Sequence, residues 1–328
     1  MEQFLIERTQ WRGADAIVTS NADLLLVAIP GRGGKLASLI RQQSGYEYLL
    51  QPAAAHKYRE LVYADDFANG DLSGFDECIP TVAKCRYPSE PAFGKQVPDH
   101  GDVWSLPSKL EVVGEKVSFI TSLISLPLRF TKTVQLQGNT VRLDYEVANF
   151  SHFPLRYLWS AHPLLSVQPE TEIVLPEDVD ELEIGWSKDG RLGQPGDRCS
   201  WPIAKERSRR SIDISKVVSL DEGTAEKLFT PRLSQGSCGL FVRKANESIA
   251  FRFDPTLVPY LGLWICLGGW PLDRTTKQLT VALEPCSGRP DSLEEAIKRD
   301  ECSLIEGHAS RRWWLEMEVS AGRPCGRK

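Results

Sequence analysis

Phe130-Thr131-Lys132-Thr133-Val134-Gln135-Leu136-Gln137-Gly138-Asn139-Thr140-Val141-Arg142-Leu143-Asp144-Tyr145-Glu146-Val147 is the stretch that decides the fold class. In its second half Val141, Leu143, Tyr145 and Val147 alternate with Arg142, Asp144 and Glu146. Successive side chains of a strand point to opposite faces, so this pattern buries one face and wets the other. Phe130 to Gln137 reads as the partner strand, and Gly138-Asn139 supplies the positive φ angles of a tight hairpin turn. A second hairpin is expected from Lys109–Val113, Gly114-Glu115 and Lys116–Ile124.

The same reading extends along the chain. Further strands are expected at Leu155–Ala161, Ser211–Val218, Gly239–Arg243, Ser248–Asp254, Leu261–Leu267, Leu279–Glu284 and Trp313–Val319. The best helical signal is Asp291-Ser292-Leu293-Glu294, with Asp291 as N-cap, opening a short helix to about Asp300. The 21 prolines and 25 glycines punctuate the chain as turns between short strands. The expectation is an all-β protein: one large antiparallel β-sandwich domain over residues 1–328, with few short helices. The irregular stretch Gln51 to Pro107 is expected to build the rim of a cleft.

Composition removes several classes of function. The net charge of -5 steers the chain to neither nucleic acid nor an acidic membrane surface. The basic run Lys205 to Arg210 is short, holds Glu206 and reads as a solvated loop. No apolar run approaches a membrane span, and Met1 to Arg8 lacks the pattern of a secretory signal, so a cytoplasmic protein is expected. The eight cysteines show no CxxC spacing, which points to free thiols and to no metal site. Cys286 has no base near it in sequence to make it a nucleophile. Gly31-Arg32-Gly33-Gly34 lacks the GK[ST] of a phosphate loop and precedes a strand, so no nucleotide cofactor is expected.

Three separated segments carry groups able to move protons near neutral pH: Pro98-Asp99-His100-Gly101-Asp102-Val103-Trp104, Trp159-Ser160-Ala161-His162-Pro163 and Ala282-Leu283-Glu284-Pro285. Glu284 ends an apolar strand, where a carboxylate is costly unless paired or used. Read alone, His162 is more commonly a histidine satisfied in the core by a backbone carbonyl, and Asp99-His100-Gly101-Asp102 reads as a turn.

In this order the three segments resemble the DHG-, W-x-x-HP- and LEP-type segments of the galactose mutarotase-like, or aldose 1-epimerase, superfamily. The resemblance runs from Pro30-Gly31-Arg32-Gly33-Gly34 to Trp313-Trp314-Leu315. It implies a supersandwich, no cofactor, and an enzyme that interconverts the α and β anomers of a small-molecule sugar. Glu284 would be the base, His162 the acid and His100 the residue that orients the sugar. Leu164-Leu165-Ser166 departs from the aromatic and Asn residues that many members carry after the HP pair.

Around this set, Asp76, Glu77 and Asp99 are candidate partners for sugar hydroxyls. Lys84 and Arg86 stand near the position of an Arg in many members, and a cation reaching the cleft would favour an anionic sugar. Trp104, Trp159, Trp264 and Trp270 are candidate stacking platforms, with core positions as their ordinary alternative. His56, His152 and His308 read as surface or structural residues. Two other functions stay open: a sugar-binding or regulatory protein without turnover, and a glycoside hydrolase pairing Asp76 or Glu77 with Glu284. A monomer or homodimer is expected.

Overall fold

A computed structural model describes residues 4–52, 57–272 and 277–324. The opening hairpin forms as its alternation requires. Leu128–Gln137 pairs antiparallel with Thr140–Asn149, with Phe130 opposite Val147 and Leu136 opposite Val141. Val141, Leu143, Tyr145 and Val147 are buried to 2% exposure or less. Of the two turn residues only Gly138 takes a positive φ, +55°. Asn139 departs from the expectation, and its side-chain amide instead donates to the Val319 carbonyl at 2.8 Å.

This hairpin lies in an eight-stranded antiparallel sheet. Its order is Thr171–Val174, Ser237–Val242, Glu247–Phe253, Ser310–Ala321, Thr140–Asn149, Leu128–Gln137, Lys116–Ser122 and Lys109–Val113. A twelve-stranded sheet packs against it. Its central strands run Lys35–Arg41, Phe75–Cys78, Ser160–Ser166, Leu279–Cys286, Tyr260–Leu267, Thr224–Phe229 and Glu181–Ser187. The two inner faces form the main apolar core, which draws residues from Ile17 to Val319. The architecture is the expected all-β sandwich.

Several elements differ from the sequence reading. The segment Leu155–Ala161 splits: Leu155–Tyr157 pairs with Ser303–Ile305, whereas Ser160–Ser166 enters the large sheet. Ser211–Val218 shortens to Ser211–Asp213. The helix is Leu293–Lys298, and its N-cap is Ser292, whose hydroxyl accepts from the Glu295 amide. Asp291 is therefore not the cap, and its carboxylate is free to bond elsewhere. Glu181–Ser187 and Thr224–Phe229 were not foreseen, and both contribute to the site. Among the described residues no helix is long and apolar enough to cross a membrane.

The pair Asp76-Glu77 shows how alternation divides neighbours on the strand Phe75–Cys78. Glu77 points into the core, 1% exposed, where it accepts from Tyr145 Oη at 3.0 Å and Trp159 Nε1 at 2.9 Å. Lys132 Nζ lies 3.2 Å from its carboxylate, and both side chains are fully buried. Glu77 and Trp159 thus hold the two sheets together and do not line the cleft, contrary to the sequence expectation.

Candidate active site

The register of the large sheet assembles the site. Ser160–Ser166 pairs with Leu279–Cys286 so that Ser160 faces Cys286 and Leu164 faces Ala282, which sets His162 opposite Glu284. On the other side of Glu284 lies Gly262, in Tyr260–Leu267. One strand further, Lys227 of Thr224–Phe229 lies opposite Trp264. The side chains of His162, Glu284, Lys227 and Trp264 leave the sheet on the face turned away from the core. They open into a cavity of about 550 Å³.

His162 Nε2 stands 3.8 Å from Glu284 Oε1, with the residues 6% and 1% exposed. Glu284 Oε1 is buried and has no hydrogen-bond partner among the described residues. Its other oxygen, Oε2, accepts a hydrogen bond from Lys227 Nζ, which also lies 3.2 Å from Asp291 Oδ1. A side chain at Gly262 would press on this pair, because a Cβ there would sit 3.3 Å from Glu284 Oε2 and 3.4 Å from Lys227 Cε. Glycine leaves room for the Glu284–Lys227 ion pair.

Electrostatics follow from burial and from these partners. Burial pushes the Glu284 carboxyl above its ordinary value, and the Lys227 ammonium limits the rise. Burial would lower Lys227, but Asp291 and Glu284 outweigh it and raise its pKa, so it stays charged. Burial, reinforced by His100, Lys227 and Lys35, holds the His162 pKa well below the usual imidazole range. Cys286 is 3% exposed and burial pushes its thiol up to about 12, far from a nucleophilic thiolate.

His100 comes from the rim segment. His100 and Gly101 take consecutive left-handed conformations, with φ of +56° and +72°. A Cβ on Gly101 would lie 2.1 Å from the Ile79 carbonyl oxygen, so this turn needs glycine there. The buried Asp102 ties the turn down by accepting from the Ile124 and Ser125 amides at 2.6 and 2.7 Å. His100 Nδ1 stands 3.1 Å from Asp99 Oδ1, and its ring stacks on Phe67 and meets His162 edge-on at 5.0 Å.

The other sequence candidates divide. Lys84, Asp99, Trp264 and Trp270 line the cavity with His100, His162 and Glu284. Asp76 is 3% exposed and is spent on Lys35, at 2.6 Å, so it does not reach the cavity. Arg86 is exposed and donates to the Gly94 carbonyl. Trp104 packs beneath the site, edge-on to Phe67, and donates to the Asp99 carbonyl at 2.9 Å. His152 and His308 are exposed and bond to each other, and His56 lies outside the described residues. Seven cysteines are free thiols, and Cys325 lies outside the described residues.

Lys227, Asp291 and Trp186 are the site residues that sequence reasoning missed. Lys227 shares one strand face with Ala225 and Phe229, but the adjacent Glu226 gives the segment the look of a surface strand. Trp186 had a misleading signal. Leu182, Ile184 and Trp186 alternate as a single apolar face, but a bulge between Ile184 and Trp186 breaks the register. Ile184 stays in the core and Trp186 turns to the cavity.

No family model matches the sequence, and no curated protein matches it significantly. Solved structures do match. A galactose mutarotase-like protein from Lactobacillus casei superposes with a TM-score of 0.65 at 16% identity, covering 93% of this chain and 100% of that one. A galactose mutarotase-like protein from Clostridium acetobutylicum gives 0.66 at 12% identity, covering 97% and 99%. A galactose mutarotase related enzyme from Lactobacillus acidophilus gives 0.66 at 14% identity, covering 98% of both chains. The chain has the galactose mutarotase-like fold. At these identities the likeness speaks for the fold over nearly the whole chain, and the chemistry rests on the side chains.

Proposed function

We propose that this chain is an aldose 1-epimerase-like isomerase that interconverts the α and β anomers of a sugar. The observation that carries the reading is the facing pair His162 and Glu284, with Glu284 Oε1 unpartnered at the cavity floor. Anomer exchange needs a base for the anomeric hydroxyl proton and an acid for the ring oxygen. Glu284 Oε1 takes the proton from the hydroxyl as the bond between the anomeric carbon and the ring oxygen breaks. His162 gives its proton to that oxygen. The aldehyde arm turns, and the steps reverse with the two roles exchanged. His100, oriented by Asp99, holds the ring between them.

The reading requires His162 to carry its second proton when the sugar opens. Glu284, 3.8 Å away, favours that proton, while burial and the nearby cations oppose it. The ion pair between Lys227 and Glu284 favours a second reading, a sugar-binding protein without turnover, because it ties up half of the base. Hydrolysis by Asp76 or Glu77 with Glu284 loses its support, since Glu77 lies on the opposite sheet face and Asp76 is bound to Lys35.

A panel of reducing sugars, followed by NMR saturation transfer between anomers, separates the two readings. Glu284→Gln keeps the shape and loses the base, so exchange should fall at least about a hundredfold, with affinity within a few fold. Full exchange in that variant would end the mechanism. Binding without exchange in the unaltered protein would establish the second reading.

A further inference from the structure

The proton-transfer pair lines only part of the cavity. Trp264 stands on the strand next to that of Glu284, and with Trp186 and Trp270 it forms a wall, all half-buried and all lining the same space as Glu284 and His162. Trp186 and Trp264 lie near-parallel, with centroids 5.9 Å apart and planes at 28°. Trp270 stands at right angles to Trp264, 5.8 Å away. Trp186 is placed here at a cost in regular pairing, by the bulge that takes it out of the core face.

The strand of Trp186 is the third from that of Glu284, and neighbouring strands lie about 4.8 Å apart, so the two backbones are separated by roughly 14 Å. One pyranose ring held between His162 and Glu284 does not span that distance. The cavity, about 550 Å³, falls in the range of roughly 300–1,000 Å³ typical of small-molecule sites.

We infer that the site takes a saccharide of at least two units, with its free reducing end at His162 and Glu284 and its next unit against Trp186 and Trp264. The wall has the chemistry of a sugar subsite. A pyranose offers an apolar C–H face for an aromatic ring and a rim of hydroxyls for polar groups. Gln278 supplies such a group, since its amide nitrogen donates to the Leu72 carbonyl while its buried Oε1 has no partner among the described residues. Lys84 and Asp66 border the same cavity. A wholly apolar substituent would leave these groups unmet. The orientation of the saccharide rests on the epimerase reading, whereas the existence of the second subsite rests on the tryptophans.

The test compares matched probes: glucose with maltose and cellobiose, and galactose with lactose. Binding is measured calorimetrically on Glu284→Gln, which removes turnover from the readout, and exchange is measured on the unaltered protein. At least one disaccharide should bind roughly tenfold more tightly than its reducing-end monosaccharide, the scale of one aromatic stacking contact. Trp186→Ala should bring that ratio close to one, and Trp186→Phe should restore part of it. A panel in which no disaccharide is preferred, or in which Trp186→Ala leaves the preference intact, overturns the inference. Exchange of monosaccharides with no disaccharide preference leaves the epimerase reading standing without it. A Trp186-dependent disaccharide preference with no exchange supports the subsite and removes the epimerase reading.

Discussion

Replacing Lys227 by Met should move the whole pH–rate profile to higher pH. Lys227 Nζ touches one oxygen of Glu284, and both groups are buried. A unit charge at about 4 Å contributes on the order of 4 kcal/mol at the effective dielectric that suits protein sites. At about 1.4 kcal/mol per pKa unit, that is a ceiling of about three units. Lys227 divides its charge between Glu284 and Asp291, 3.2 Å away, so a rise of about one to three units in the Glu284 pKa is expected. Without the cation Asp291 repels the Glu284 carboxylate, which adds to the rise.

The same cation depresses His162, so its loss raises the proposed acid as well as the proposed base. Both limbs of the bell should therefore move the same way, the limb set by Glu284 further because Lys227 contacts Glu284 directly. The two values belong to a coupled pair, and the profile reports them as macroscopic constants. Saturation-transfer rates of anomer exchange across pH give the profile, with circular dichroism confirming the fold. Lys227→Arg keeps the charge and should hold the limbs near their original positions. A profile that stays in place while its height falls at every pH would refute the electrostatic role and leave Lys227 a packing residue.

Two further outcomes concern stability. His162 is buried with its pKa depressed, so its contribution is present above the unfolded value of about 6.5 and is lost as pH falls toward the folded value, at up to about 1.4 kcal/mol per pH unit. His162→Asn should flatten that acid-side slope in urea titrations at several pH values, and an unchanged slope would show that the imidazole is protonated in the native protein. Lys132→Met leaves Glu77 unpaired in the core and should cost about 3–5 kcal/mol, most of it recovered when Glu77→Gln is added. Urea midpoints of the two single variants and the double variant check this, and a Lys132→Met variant as stable as the parent would refute the pairing.

The legible parts of the sequence were those whose pattern and position agree. Val141, Leu143, Tyr145 and Val147 show the sandwich because their strand has one buried face and one wet face. Glu284 and His162 stand out because each is a charged or titratable group in a run otherwise apolar. Lys227 was hidden by the opposite circumstance. In Thr224-Ala225-Glu226-Lys227 the adjacent charges imitate a surface segment, yet both are buried, Glu226 against Arg191 and Lys227 against Glu284. Those partners lie 35 and 57 residues away, beyond any local pattern. Of Asp76 and Glu77, alternation turns Glu77 to the core, and Asp76, on the face of His162, is taken up by Lys35.

What local pattern cannot supply is register, and here register makes the chemistry. Four strands from distant parts of the chain must align so that His162, Glu284, Gly262 and Lys227 fall within one step of each other. A slip of one residue in Leu279–Cys286 would send Glu284 into the core and Leu283 into the cavity. The core itself prevents the slip, because Val281 and Leu283, which have no exposure at all, would be carried out with it. The same apolar alternation that specifies the sandwich therefore fixes which charged groups meet on its other face. Trp186 is the exception that tests this logic. Its strand obeys the core pattern up to Ile184 and then gains one residue, so its ring reaches the cavity only because the register is broken at that point.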